Sequence, residues 1–404
     1  MKAAVLRETY PGERRVAIVP AVVPQLAKLG LEVVLEPGAG AGADHPDSEY
    51  EAKGAQIAAD RAAALNAADV VLQVRSLGAN PEAGRADLDL FRRGQVVIGT
   101  CDPLGNPGAV KELADRGVTL FALEMIPRIT RAQSMDVLSS MATIAGYKAV
   151  LLAANHLPKL FPMLMTAAGT LTPAKVLVIG AGVAGLQAIA SARRLGAVVQ
   201  AYDVRPAVKE QIESLGAKFV ELPLDTSGSE DKGGYAKQLT EEQQQQQRDL
   251  LADVIADCDV CISTAAIPGR PSPLLITDSA VERMRPGSVI VDLAAERGGN
   301  CGLTCADETK VIHGVTILGP TNLPSEVPQH ASQMFARNVA TLLGLLMKEG
   351  QVDVDFNDEV IRETLAAKDG QVQNQRLREM LDLGPLQLPA SEPPVNHLAD
   401  GGAS

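Results

Sequence analysis

The sequence predicts an α/β protein of two doubly wound parallel sheets, the first domain discontinuous. Three observations carry this. Short apolar runs alternate with helix-period segments along the first third and again in the middle of the chain. A glycine-rich turn joins one of the later runs to a helix. A long amphipathic segment, "PQHASQMFARNVATLLGLLMKEG", follows the last of these runs and is expected to return to the first layer. The expected domains are residues 1–145 with 325–382, and residues 146–324, followed by a Pro-rich tail, 383–404.

The 404 residues leave room for two domains, and an apolar fraction of 46% supplies real cores. Aromatics are 3% and Trp is absent, so Ala, Val, Leu and Ile must fill those cores. The formal charge of −12 argues against nucleic acid and an anionic membrane surface as partners. Met1 is followed directly by "KAAVLRE", which reads as a strand rather than a leader, and "NVATLLGLLMKEG" is too short to span a bilayer. A soluble, cytoplasmic chain without direct membrane insertion is expected. Its five Cys form an odd set, expected as reduced thiols. "CDVC" and "CGLTC" invite a zinc reading. "DVCIST" reads as a strand, however, where residues three apart face opposite sides. Cys258 and Cys261 are therefore expected to diverge, and no metal site is expected.

In chain order, "KAAVLRE" and "LEVVLEPG" read as strands around the helix "AVVPQLAKLG", followed by "ADVVLQVR", "GQVVIGT" and "GVTLFALE". "TRAQSMDVLSSMATIAGYKAVLLAANHL" then reads as one long helix, with Thr130 and Gln133 at capping-box spacing. Its apolar stripe is Met135, Leu138, Met141, Ala142 and Ala145; Asp136, Ser139, Ser140 and Thr143 fall on another face. "AKVLVIG", "AVVQAYDV", "AKFVEL", "DVCISTA", "GSVIVDLA" and "GVTILG" supply the second set of strands. "LDTSGSEDKGGYAKQL" is polar and Gly-rich, and "EEQQQQQRDLL" reads as a solvated helix face.

"VIGAGVAG" places Gly180, Gly182 and Gly185 in G-x-G-x-x-G spacing after a strand and at the opening of a helix, with Val183 also expected at the cofactor. The first glycine permits the tight turn, the second lets a pyrophosphate approach, and the third allows close helix–strand packing. The pattern is expected to form a Rossmann-like dinucleotide site, read as one for NAD(H) from the residue that follows. Asp203 ends the next strand, where its carboxylate suits the ribose hydroxyls and repels a 2′-phosphate; Val204 and Arg205 follow it. Arg205 weakens that preference slightly, because an Arg can receive a 2′-phosphate. Thr264, Ala265 and Ala266, at the end of a later strand, are expected to line the cofactor. Upstream, "RITRAQSMDVLSS" gathers Arg128, Ile129, Gln133, Asp136, Leu138 and Ser139 but holds no His, Cys, Lys or Glu.

"RETYPGERRVAIVP", "VVLEPGAGAGADHPDSEYEAKGA" and "TLTPAKVLVIGAGVAGLQAIASARRLGAVVQAYDVR" resemble the alanine dehydrogenase and pyridine-nucleotide transhydrogenase superfamily, from Lys2 to about Lys348. "PRITRAQSMDVLSSMATIAGYKAV" and "DLAAERGGN" resemble its proton-translocating transhydrogenase branch, at the NAD(H)-binding component. Alanine dehydrogenases carry a Lys in a "VKVKEP"-like stretch, where this chain has Arg75. Their catalytic His stands where this chain reads "GTCDPLG" around Cys101 and Asp102. Their Asp in "DVAxDQGG" is replaced by Glu296. Only the pyruvate-contacting Arg has a counterpart, Arg15. None of His45, His156, His313, His330 and His397 occupies the dehydrogenase His position. Amino-acid oxidation needs a placed acid–base group. Hydride transfer between two nicotinamides does not.

The resemblance implies a Re/Si-specific transhydrogenase subunit, active only with its partners. It binds NAD(H), forms a homodimer, and meets NADP(H)-binding and membrane-spanning subunits that place it at the inner membrane from the cytoplasmic side. Arg128, Gln133, Asp136 and Ser139 would contact the nicotinamide and its ribose. Gly234 and Tyr235 would belong to a mobile loop near residues 224–238 that closes over it. Two other readings stand beside this one: an alanine dehydrogenase-like oxidoreductase, and an NAD-responsive binding module without catalysis.

Overall fold

The computed structural model describes residues 1–223, 240–267 and 269–386. The first sheet takes β1 (Lys2–Val5), β2 (Glu32–Leu35), β3 (Gln56–Ile57), β4 (Val70–Arg75), β5 (Val96–Thr100) and β6 (Thr119–Ala122). β7 (Leu164–Thr166) and β8 (Gly169–Leu171) form a separate hairpin. The second sheet takes β9 (Lys175–Ile179), β10 (Val198–Tyr202), β11 (Lys218–Phe219), β12 (Val260–Ser263), β13 (Val289–Asp292), β14 (Thr309–Ile312) and β15 (Val315–Leu318). β16 (Met347–Lys348) and β17 (Gln351–Val352) make a second hairpin, and β18 (Leu365–Lys368) and β19 (Gln371–Val372) close the chain.

The first sheet runs β19–β18–β6–β5–β4–β1–β2–β3 and the second β11–β10–β9–β12–β13–β15–β14. β1 to β6 are mutually parallel, as are β9 to β13 with β15, so both sheets are doubly wound as expected. Strands covered on both faces read as unbroken apolar runs; Val70, Val71 and Leu72 of β4 are fully buried. Strand order reverses between β1 and β4 and between β9 and β12, where ligands sit in such sheets.

Three strands at the sheet margins escape the sequence pattern, all paired antiparallel. β14 pairs with β15, β19 with β18, and β18 with β6. Their turns place His313–Gly314 and Asp369–Gly370 at positive φ, and Asp-Gly is a recognised hairpin signal. The helix Pro328–Leu346 lays Phe335, Val339, Leu342 and Leu343 into the core of the first sheet.

The expected single long helix is in fact a 3₁₀ turn, Thr130–Met135, followed by a central helix, Val137–His156. Asp136 is the cap between them: its carboxylate accepts from Ser139 N at 2.9 Å and Ser139 Oγ at 2.6 Å. Thr130 and Gln133 form no capping box. A short carboxylate able to bond its own downstream N–H leaves the helix for extended backbone, and Asp136 does so at ψ 95°. The stripe differs too. Leu138 is 40% exposed, while Val137, Ile144, Ala149, Val150 and Ala153 are buried. The reason is that the helix serves two cores: Val137 joins the first, and Ala149, Val150 and Ala153 the second. Gly146 permits the crossing with the helix Val183–Arg194, since a Cβ there would lie 2.1 Å from Ala184 O. By length and composition this central helix is apolar enough to cross a bilayer; here Lys148 on it pairs with Glu326.

The thiols also depart from expectation. β12 begins only at Val260, so Cys258 lies in the preceding turn and strand alternation does not apply to it. Cys258, Cys261 and Cys301 share one core, and the Cys258 thiol donates to Ile255 O at 3.1 Å.

Candidate functional site

A cleft of about 300 Å³ opens at the C-terminal ends of β9, β10 and β12. Its floor is the glycine turn. Gly180 adopts φ +95°, and Thr264 Oγ1 donates to its carbonyl at 2.9 Å. Gly182 caps the helix Val183–Arg194 without any side-chain cap, so the first-turn N–H groups suit an anion. A Cβ at Gly182 would meet nothing within 4 Å, which leaves room for a pyrophosphate. These residues fit a dinucleotide.

Asp203, 7% exposed, is already engaged. It accepts from Ala181 N at 2.7 Å, Arg205 N at 2.8 Å, Arg205 Nε at 2.9 Å and Arg205 Nη2 at 2.9 Å. The Arg205 guanidinium thus neutralises the carboxylate that the sequence expects at the ribose. A ribose at Asp203 must take over some of these bonds.

The fold brings Gly180, Gly182, Val183, Asp203, Val204, Arg205, Thr264, Ala265 and Ala266 to this cleft, and Arg128, Leu138 and Ser139 line it from the other side. Four other expected residues do not line it. Gly185 packs beneath the turn, Asp136 acts on the cleft through Ser139, Ile129 packs against the first core, and Gln133 lies on the exposed face of the 3₁₀ turn. Gly234 and Tyr235, with the loop near 224–238, lie outside the described residues.

Tyr202, Gln244 and Gln247 join the lining without having been expected there. The glutamine run is a helix, Glu241–Ala256, whose start is a true capping box of Thr240 and Gln243. It is not wholly solvated: Gln247 is buried and its Nε2 donates to Tyr202 Oη at 2.8 Å. Its spacing from Leu251 and Ile255, four residues apart each time, is the signal the sequence offers.

A second cleft of about 740 Å³ meets the first at Leu138. It is lined by Arg15, Arg75, Asp102 and Glu296, which the sequence comparison with alanine dehydrogenases singled out as expectations, and these side chains are engaged with one another and with their neighbours. Glu13 has no exposed side-chain surface and bonds Arg15 Nη2 at 2.7 Å and Arg75 Nε at 3.1 Å. Burial alone would raise its pKa, but Arg15 and Arg75 bring it down to about 2. The Arg75 guanidinium also stacks 4.3 Å over Tyr10. Cys101 is buried, its thiol pushed well up by burial. Glu296 lies 3.9 Å from Arg75, and Asp102 pairs with Arg297.

Glu124 is the exception. Its Oε1 accepts from Cys101 N at 2.8 Å and Asp102 N at 2.7 Å, while its buried Oε2 meets no donor among the described residues. Burial raises its pKa from 4.5 to about 7, so Oε2 can carry a proton. With the folded pKa above the unfolded one, its contribution is complete below 4.5 and is lost as pH rises through 7. Buried Glu8, raised to about 8, acts in the same sense. Stability should therefore fall from about pH 5 to about pH 8, and Glu124→Gln should flatten that decline. Denaturant titrations across this range test it; an unchanged slope in the variant rejects the assignment.

The chain is similar to known proteins along most of its length. Family models for alanine dehydrogenase/PNT match the chain, the N-terminal domain over residues 4–145 and the C-terminal domain over 149–375. In Rhodospirillum rubrum, the first portion of a split NAD(P) transhydrogenase subunit alpha is 47% identical over 380 residues, covering 92% of this chain and 97% of that one. A solved transhydrogenase from Sinorhizobium meliloti gives a TM-score of 0.82 at 45% identity, covering 92% of this chain and 100% of that one. A solved L-alanine dehydrogenase gives 0.78 at 25% identity, covering 95% and 99%.

Proposed function

The chain belongs to the alanine dehydrogenase/PNT family, on its NAD(P) transhydrogenase branch, and we propose that it is the NAD(H)-binding subunit of a proton-translocating enzyme. NADH bound here supplies a hydride directly to NADP⁺ held on a partner subunit: the C4–H bond of one ring breaks as that of the other forms, and no proton is exchanged in the step. The Gly180–Val183 turn binds the pyrophosphate and Asp203 the ribose. Arg128, Gln133, Asp136 and Ser139 orient the nicotinamide, and the loop around Gly234 and Tyr235 excludes water. Proton movement belongs to membrane-spanning partners, so this subunit sits peripherally on the cytoplasmic side of the inner membrane. Met163, Leu164, Met165 and Leu171, on and beside the β7–β8 hairpin, are 40–79% exposed, an apolar surface suited to a second copy in a homodimer.

One observation carries the choice against amino-acid oxidation. Arg15 and Arg75 are both tied to Glu13, so the two cations that could anchor a substrate carboxylate are already held by a carboxylate of this chain. The test mixes the purified chain, loaded with NADH, with an NADP(H)-binding transhydrogenase component and NADP⁺. Rapid NADPH formation is expected. Reduction of NAD⁺ by alanine with this chain alone would establish the dehydrogenase reading instead, and NADH binding without transfer would leave a binding module.

A further inference from the structure

We infer that Asn338 and the Arg131–Asp358 pair are positioning residues for hydride transfer, holding from behind the turn that presents Arg128, Gln133 and Asp136. This rests on the reading of that turn as the nicotinamide site.

The turn needs outside support. Thr130–Met135 is a six-residue 3₁₀ segment, and such segments are weak beyond a few residues. Its inner side is anchored by packing: Ala132 and Met135 enter the first core beside Phe335 and Val339. Within that core Asn338 Nδ2 donates to Ser134 O at 2.8 Å. Asn338 is 7% exposed, with Phe335 and Leu342 one turn away on either side, and its Oδ1 meets no donor among the described residues. An amide half-satisfied in a core is a poorer filler than an apolar side chain of the same size. What it provides is a fixed point for the turn.

The outer side is tied independently. The Arg131 guanidinium forks onto Asp358 at 2.9 and 2.8 Å, and this hydrogen-bonded pairing holds the carboxyl below its ordinary range. Asp358 also caps the helix Glu359–Thr364, accepting from Val360 N and Ile361 N. That helix leads straight into β18, which pairs with β6, the strand that feeds the turn. The two ties reach across 204 and 227 residues. Both end on backbone or side chains between Arg128 and Asp136, so losing either frees the groups that aim the ring.

The test uses the full chain with Asn338→Leu, an NADP(H)-binding component, and single-turnover transfer from NADH already bound. Transfer should slow about tenfold, since small misplacements of reacting atoms cost that much or more. The thermal midpoint should be unchanged or raised and NADH affinity nearly native, which a merely structural role would not give. Native transfer rates at saturating NADH overturn the inference. If Asn338→Leu proves unstable, Arg131→Met decides: that pair is exposed enough to matter little to stability, so slowed transfer at a native midpoint supports the inference and native transfer overturns it. A native chain that transfers no hydride defeats the functional reading itself, and this inference with it.

Discussion

Gly185→Ala is expected to weaken NADH binding by at least about a hundredfold, corresponding to overpacking of nearly 3 kcal/mol. A Cβ at this position would lie 1.8 Å from Gly180 O and 2.9 Å from Gly180 C. These are backbone atoms of the nucleotide turn, and no side-chain rotation relieves the clash. The turn must move, and with it the Gly180 carbonyl that Thr264 Oγ1 holds at 2.9 Å. Gly182→Ala is the informative companion. Its Cβ would meet no protein atom within 4 Å, so the fold should be untouched while the pyrophosphate loses its approach. Calorimetry with NADH and thermal melts separate the two: Gly185→Ala should lose affinity and midpoint together, Gly182→Ala affinity alone. Native affinity in either variant would show that the dinucleotide does not lie on this turn.

Glu13→Gln should destabilise the fold by about 3–5 kcal/mol, the usual cost of removing one partner from a buried ion cluster. The carboxylate joins Arg15 and Arg75, which are only 7% and 12% exposed in their side chains. It also receives Asn322 Nδ2 at 3.2 Å and Ser325 Oγ at 2.9 Å, linking β4 to the segment before the helix Pro328–Leu346. Gln keeps the shape and leaves two buried cations without their counter-charge. Because the folded pKa, about 2, lies below the unfolded value, the contribution is present above 4.5 and lost as pH falls through 2. The native-minus-variant difference should therefore hold steady from about pH 5 to about pH 6, below the range in which Glu8, whose pKa Glu13 helps to raise, loses its proton. Urea unfolding of both proteins measures it; a loss below about 1 kcal/mol would mean that the cluster is screened like a surface pair.

The same cluster marks the limit of residue identity as a guide. Arg15 matches a dehydrogenase substrate Arg by position, yet it is held by Glu13, two residues away in sequence, and by nothing a spacing rule would flag. The glutamine run misleads for a related reason. Composition alone cannot distinguish a solvated face from one that lays Gln247 against Tyr202 Oη. Asp136 reads in the sequence as one polar position among several, although Asp followed three residues later by Ser139 is itself a capping pattern.

By itself the sequence determined what short-range physics encodes. The apolar runs of β1, β4, β9 and β12, the turn at Gly180–Gly185 and the Asp at the end of β10 each follow from backbone freedom and hydrophobic period. That the stretch from Arg128 to Ser140 holds no His, Cys, Lys or Glu was equally legible, because it is a matter of residue identity. Only the tertiary structure decided what distant residues do to one another. It spent Arg75 on Glu13 and braced the turn at Ser134 from Asn338. Those pairings depend on where whole elements pack, and no local propensity records an element two hundred residues away.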